Sequence, residues 1–313
     1  MSKIETHHNQ ESWVARFFRR LAGLRIVVRE EPYERAEAGG TTMAYRLTPP
    51  GDLRGRIVFA HATGNDSLFP QAELFLTWLE AGFEIFTFDL DGHGAHSTTI
   101  LSPQSAPTMI PQAVEVATKE RPPLALFGAG QSLGAALWLK TASQAVVPLT
   151  SMVLFSAPYT VDLSARAGSS ELLALLARDF WSQKHHYGWT GIVPPLGLWR
   201  RQDYPIRMVG GPQTSRDRQV NISSLNYPRH IAALIESLDT QSIASSIKVP
   251  TLLIYGTRDK IVSASQGERL MELLPQGKLV TISGATHYTT PFHPEGMMAA
   301  TRWFLCRDNP RHQ

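Results

Sequence analysis

The sequence predicts an α/β fold: a mainly parallel sheet covered by helices on both faces. Three observations carry this expectation. Short apolar runs alternate with helix-forming runs from Arg56 to Phe155, and again from Thr251 to Cys306. Parallel neighbours need such crossovers, because a tight turn joins only antiparallel strands. The stretch from Leu124 to Ala136 reads as an apolar run, then small residues, then a helix-forming run. Finally, strand candidates end in His61-Ala62-Thr63-Gly64, Ser132, Asp259 and His287. Functional groups collect outside the carboxyl ends of strands in an open parallel sheet.

Bulk properties narrow the function classes. A chain of 313 residues fits one large domain with an insertion, or two small ones. Hydrophobic residues make up 43% and charged residues 18%, enough apolar material for a full core. The net charge of +3 is too small to argue for nucleic acid, and no basic stripe is interleaved with aromatics. One cysteine, Cys306, rules out an intrachain disulfide. No apolar run approaches the length of a membrane span. The first ten residues are polar and lead into an arginine-rich stretch rather than an apolar signal segment, so a cytoplasmic location is expected. There is no Cys/His metal spacing, and no metal or organic cofactor is expected.

Taken in order, residues 11–25 read as a helix. Trp13, Val14, Phe17, Phe18, Leu21 and Leu24 share one side of the wheel, and Arg16, Arg19 and Arg20 the other. Such a helix seats its apolar side on its own domain, on a partner chain or on a membrane surface. Arg25 to Glu30 and Thr42 to Leu47 are strand candidates forming a hairpin around Gly39-Gly40. The strand Arg56 to Ala60 follows the turn Pro49-Pro50-Gly51. A helix from Gln71 to Glu80, a strand from Glu84 to Phe88 and a helix from Ala106 to Lys119 lead to the strand before Ser132. A helix to about Ala145 and a strand from Thr150 to Phe155 come next.

The alternation then stops. Residues 157–246 read as an inserted lid, with helices near Ser170 to Gln183 and Pro228 to Leu238. Trp189, Trp199, Tyr204 and the breaker Gly210-Gly211-Pro212 lie between them. It resumes with strand Thr251 to Tyr255, helix Ser265 to Leu274, strand Lys278 to Ile282 and helix Pro294 to Cys306. The expected organisation is therefore residues 1–38 as the N-terminal helix and first strand, 39–156 with 247–313 as the core, and 157–246 as the lid.

The turn at Gly130-Gln131-Ser132-Leu133-Gly134 has a chemical reading. A strand that becomes a helix within so few residues forces Ser132 into a strained backbone region, and flanking glycines allow the close approach. The hydroxyl then points out of the turn beside the Leu133 N–H. A serine hydroxyl is too weak an acid to attack unaided and needs a neighbouring base.

Four motifs together resemble the α/β-hydrolase superfamily, in its lid-bearing branch of serine esterases and monoacylglycerol lipases. Gly130 to Gly134 is similar to the nucleophile elbow, and Asp89-Leu90-Asp91-Gly92-His93-Gly94 to the D-x-x-G-H-G loop. Gly256 to Val262 is similar to the G-x-x-D-x-x-V acid turn, and Gly284-Ala285-Thr286-His287 to the histidine loop. The resemblance runs from about Thr42 to the C-terminus, apart from the lid. It implies a mostly parallel eight-stranded sheet and a serine hydrolase acting on an ester, or on a thioester or amide. Ser132 is then the nucleophile, His287 the base and later acid, and Asp259 its orienter. The Leu133 N–H would form one half of the oxyanion hole, and the N–H of Thr63 or of Ala62 the other. A serine at the elbow sets the chain apart from relatives that use aspartate there.

Two departures stand out. The oxyanion loop has His61-Ala62 where the family usually has His-Gly, and Ala95-His96-Ser97 is one residue longer than the common ending. Several other residues receive plainer expectations. Asp162 is a rival acid. Asp89, Asp91, His61 and His93 pin loops, the pair His185-His186 and His293 are solvated, and Cys306 is a small buried residue. The Leu, Trp and Tyr of the lid point to a small apolar ester or acyl substrate. Acyl transfer through the same intermediate is the alternative, and a non-catalytic binding protein a further one.

Overall fold

The central strands of the sheet form where a largely apolar run leaves alternate side chains to cover both faces. The computed structural model describes residues 13–63, 67–68, 71–94, 97–160, 207–209, 219–221 and 227–308. The chain begins with α1 (Trp13–Gly23) and β1 (Val27–Glu30), followed by the short pair β2 (Tyr33–Arg35) and β3 (Gly40–Thr42). Next come β4 (Ala44–Thr48), β5 (Gly55–Ala60), α2 (Ala72–Glu80), β6 (Phe83–Phe88), α3 (Met109–Thr118), β7 (Leu126–Gln131), α4 (Leu133–Gln144) and β8 (Ser151–Phe155). After the small antiparallel pair β9 (Arg207–Val209) and β10 (Gln219–Asn221) come α5 (Tyr227–Leu238) and α6 (Thr240–Ile243). The chain closes with β11 (Thr251–Gly256), α7 (Ala264–Leu273), β12 (Gly277–Ile282) and α8 (Pro294–Leu305).

Eight strands form one sheet in the order β1-β4-β6-β5-β7-β8-β11-β12. Pairing is parallel from β6 to β12, and antiparallel where β4 meets β6 and β1. This is the mostly parallel sheet that the alternation predicts. Its faces separate by the two-residue period of a strand. Val58, Phe86, Leu154 and Leu253 join Trp138 of α4 in one apolar cluster. Ile57, Phe59, Phe127 and Ile254 join Trp78 of α2 and Phe304 of α8 in the other. Both faces exclude water, so the central strands read as unbroken apolar runs.

The N-terminal helix turns Phe17 and Leu21 into the second cluster, leaving them 3% and 2% exposed. Arg20 reaches Glu73 of α2 at 2.6 Å. Of the three surfaces open to its apolar side, the helix seats these two residues on its own body, while Phe18 stays exposed. No described helix is long and apolar enough to cross a membrane.

Some expectations change. The hairpin between β1 and β4 carries the extra pair β2–β3, whose three-residue strands are too short and polar to show a pattern. A buried charge holds it instead: Arg35 donates to Asp91 from Nε at 2.9 Å and from Nη2 at 2.6 Å. Cys306 is exposed rather than buried, because α8 ends there and the side chain lies beyond its packed face. His293 is half-buried rather than solvated, with Nδ1 shut away from water at the start of α8. Most of the expected lid, including Asp162, the 170–183 helix, His185, His186, Trp189, Trp199, Tyr204 and Gly210-Gly211-Pro212, lies outside the described residues. Its expected helix from Pro228 to Leu238 is α5, and α6 follows within the same range.

Glu84 ties three strands together below the site. Its Oε1 accepts from Arg46 of β4 at 2.9 Å and from Arg56 of β5 at 2.5 Å, and Thr48 donates to Oε2 at 3.0 Å. All three charged side chains are almost fully buried. Burial opposes the charge on Glu84, yet the two guanidinium groups outweigh it and hold the carboxyl below its ordinary range. Glu84→Gln should lower the unfolding free energy by about 3 kcal/mol, since it strands buried arginine charge. Urea denaturation at neutral pH measures this; an unchanged midpoint would show that the network contributes nothing.

Candidate functional site

A single residue turns the chain between β7, which ends at Gln131, and α4, which starts at Leu133. That residue is Ser132, with φ 52° and ψ −113°. A side chain rarely adopts this backbone, and it persists only where the surroundings enforce it. Two glycines show the enforcement. A Cβ on Gly134 would lie 2.1 Å from the Ala60 carbonyl oxygen, and one on Gly130 would lie 2.7 Å from the Gly134 backbone. The start of α4 is thus pressed against the end of β5. The serine N–H donates to the Phe155 carbonyl of β8 at 2.9 Å. The Leu133 N–H belongs to the first turn of α4, where backbone donors have no intrahelical acceptor and the helix dipole is positive.

Asp259 follows β11, and its side chain is a nearly saturated acceptor. Oδ1 takes the N–H groups of Ile261 at 3.0 Å and Val262 at 2.8 Å. Oδ2 takes the Ser156 hydroxyl at 2.7 Å and His287 Nδ1 at 2.9 Å. Burial pushes toward the neutral acid, but His287, the Val262 N–H and the Ser156 hydroxyl together keep the carboxyl below its ordinary range. An ionised carboxylate only accepts, so the histidine proton sits on Nδ1 and the lone pair on Nε2.

His287 follows β12 in a loop that is fastened to the elbow. Gln131, the residue before the serine, donates from Nε2 to the His287 carbonyl at 3.0 Å. Ser156, which donates to Asp259, directly follows the Phe155 that receives the Ser132 N–H. The structure therefore joins His287 and Asp259 directly. It ties Ser132 to them through backbone neighbours, with no hydrogen bond from its own hydroxyl among the described residues. All three side chains are buried.

The loop after β5 lies against the start of α4, since the same Gly134 Cβ would meet the His61 carbonyl at 2.7 Å. His61 Nε2 accepts the Leu90 N–H at 2.9 Å. Its proton is then on Nδ1, which lies 2.7 Å from the Ala62 carbonyl. In a trans peptide the N–H points opposite to the C=O, so holding the Ala62 oxygen turns the Thr63 N–H away from His61. His93 Nδ1 sits 2.9 Å from the Asp91 carbonyl, and Nε2 3.4 Å from the Thr63 hydroxyl. Asp89 accepts from the Ser67 N–H and the Ser97 hydroxyl. These four residues pin loops, as expected from the sequence. Gly64 and Asp162 lie outside the described residues.

Two residues at the site escaped the sequence reading. Gln131 was visible only as the variable position of the pentapeptide. Ser156 carried no local signal, because its partner Asp259 is remote in the chain. Among the described residues, no three His, Cys, Asp or Glu side chains gather as they would to hold a metal ion.

Comparison with known proteins adds context. Residues 55–294 match the family model described as the alpha/beta hydrolase fold. A comparison with curated proteins finds no match. Among solved structures, a monoacylglycerol lipase of Paleococcus ferrophilus is similar at 21% identity and a TM-score of 0.56, covering 84% of this chain and 99% of its own. An esterase of Pyrococcus furiosus is similar at 17% identity and 0.60, covering 91% and 92%. A bromoperoxidase of Bacillus anthracis is similar at 16% identity and 0.60, covering 89% and 100%. At such identities the likeness is one of fold.

Gly134→Ala should destabilise the protein by at least about 2 kcal/mol, because both sides of the contact are backbone and neither can yield cheaply. A denaturation midpoint equal to wild type would contradict the close approach. Asp259 adds stability that is present above its unfolded pKa and lost as the pH falls through its lower folded value. Asp259→Asn should therefore flatten the acid side of the stability curve between about pH 5 and pH 2, read by denaturant titration at each pH.

Proposed function

The chain belongs to the α/β-hydrolase fold family, and on that premise we propose that it is a serine hydrolase cleaving a carboxylic ester through an acyl-enzyme. Ser132 Oγ attacks the carbonyl carbon while His287 Nε2 takes the hydroxyl proton. The imidazolium that forms is held by Asp259, which stays ionised. The same proton then passes to the departing alcohol. Water, deprotonated by His287 in turn, releases the acid and restores the serine. The Leu133 N–H and the N–H of Thr63, or of Ala62, would receive the oxyanion. One such donor is worth about 3 kcal/mol in the transition state.

One observation carries this reading: a buried His287–Asp259 pair whose loop is hydrogen-bonded to the residue preceding a strained, positive-φ serine. A serine needed only for packing has no reason to occupy that strained backbone. Residues 157–246 are proposed as a lid, whose Leu, Trp and Tyr content suits an apolar acyl or aromatic group.

A fluorophosphonate probe should label the wild type and not Ser132→Ala. With p-nitrophenyl esters of increasing chain length, Ser132→Ala should lose at least about 10⁴-fold in kcat, and Asp259→Asn about 10⁴-fold with the fold intact. A wild-type rate no higher than that of Ser132→Ala would sink the proposal and favour a binding protein.

A further inference from the structure

The end of β8 holds a second strained residue whose side chain is fully buried. Ser156 has φ 48° and no exposed surface. Its backbone is held from both sides. The Ser156 N–H donates to the Ile254 carbonyl of β11 at 2.9 Å. The Tyr255 hydroxyl donates to the carbonyl of Ala157, the next residue. The Thr240 hydroxyl donates to the carbonyls of Pro158 and Tyr159 at 2.9 and 3.0 Å, and Gln266 accepts the Tyr159 N–H at 2.9 Å. So many restraints on four residues fix where the Ser156 hydroxyl points.

It points at Asp259 Oδ2, the same oxygen that receives His287 Nδ1. We infer that Ser156 is a positioning residue of the site: its hydroxyl shares the charge of that oxygen with the imidazole and so sets how strongly and at what angle His287 is held. The inference rests on the roles proposed above for Ser132, His287 and Asp259. The other Asp259 oxygen is fixed by backbone N–H groups, which no side-chain change removes. Ser156 is thus the adjustable part of the acid's surroundings. Among the described residues, His287 is the ionisable group that favours the charged form of Asp259, and Asp259 acts in turn on Tyr255. Burial, and then the charge of Asp259, keep the Tyr255 phenol neutral.

Removing the hydroxyl has two effects of the same sign. Oδ2 loses a donor, so its charge falls more heavily on the imidazolium and stabilises that cation. Asp259 itself becomes easier to protonate. Since His287 must be neutral to accept the serine proton, the acid limb of kcat/KM moves to higher pH. Loss of orientation lowers kcat while leaving substrate binding alone.

The test uses Ser156→Ala and Ser156→Gly together. Both lack the hydroxyl, but glycine also relieves the positive φ. Both should show kcat lowered about tenfold, KM within about twofold and the acid limb raised by about half a pH unit. Ser156→Gly should be the more stable of the two. In each, the downfield proton resonance of His287 Nδ1–H should shift, a readout independent of turnover. An unshifted acid limb and resonance in both variants would overturn the inference while leaving the hydrolase standing. So would a Ser156→Gly enzyme indistinguishable from wild type, since strain and not the hydroxyl would then matter. A wild type that neither turns over esters nor takes the fluorophosphonate would instead remove the hydrolase reading, and this inference with it.

Discussion

The approach of α4 to the end of β5 is the constraint on which the rest of the molecule turns. At Gly134 the helix backbone comes so near the Ala60 carbonyl that no methyl group fits. Only one residue is left to reverse the chain, and that residue, Ser132, takes a backbone that side chains rarely adopt. The strain is sustained by the apolar faces that the strands bury, with Trp138 and Leu133 of the same helix inside one cluster. Packing far from the serine therefore decides where its hydroxyl can go.

The Asp259–His287 pair depends on the same sheet in a different way. Asp259 and His287 sit on adjacent parallel strand ends, β11 and β12, whose register brings Gly256 opposite Ile282. Neither side chain could be aligned by its own loop alone. Ser156 reaches across from β8 and Gln131 from β7, so two neighbouring strands contribute to the orientation of one imidazole. Buried charge elsewhere plays a structural part: Arg35 with Asp91 anchors the small hairpin, and Glu84 with Arg46 and Arg56 binds the antiparallel edge to the parallel body.

Much of the scaffold could be read from the sequence, because buried parallel strands have no polar alternation to blur their ends. Thr251 to Tyr255 was expected and Thr251–Gly256 is found; Glu84 to Phe88 was expected and Phe83–Phe88 is found. The pair β2–β3 escaped because a single arginine, not an apolar stripe, secures it. At the candidate site, the motifs pointed to Asp259 and His287, which are in contact. Gln131 and Ser156 could not be found that way, since their partners lie 156 and 103 residues distant in sequence. Cys306 and His293 were misjudged because exposure at a helix end depends on which face the last turn presents. The same uncertainty of facing applied to α1, and there Phe17 and Leu21 lie against the body.

What the account holds is that one oriented imidazole makes one serine reactive. Peptide mapping by mass spectrometry after fluorophosphonate treatment addresses this, with His287→Ala run beside the wild type. The account expects the adduct on Ser132 in the wild type and its near-complete absence in His287→Ala at equal folded concentration. An adduct on a different residue, or equal labelling of Ser132 without the imidazole, would contradict it.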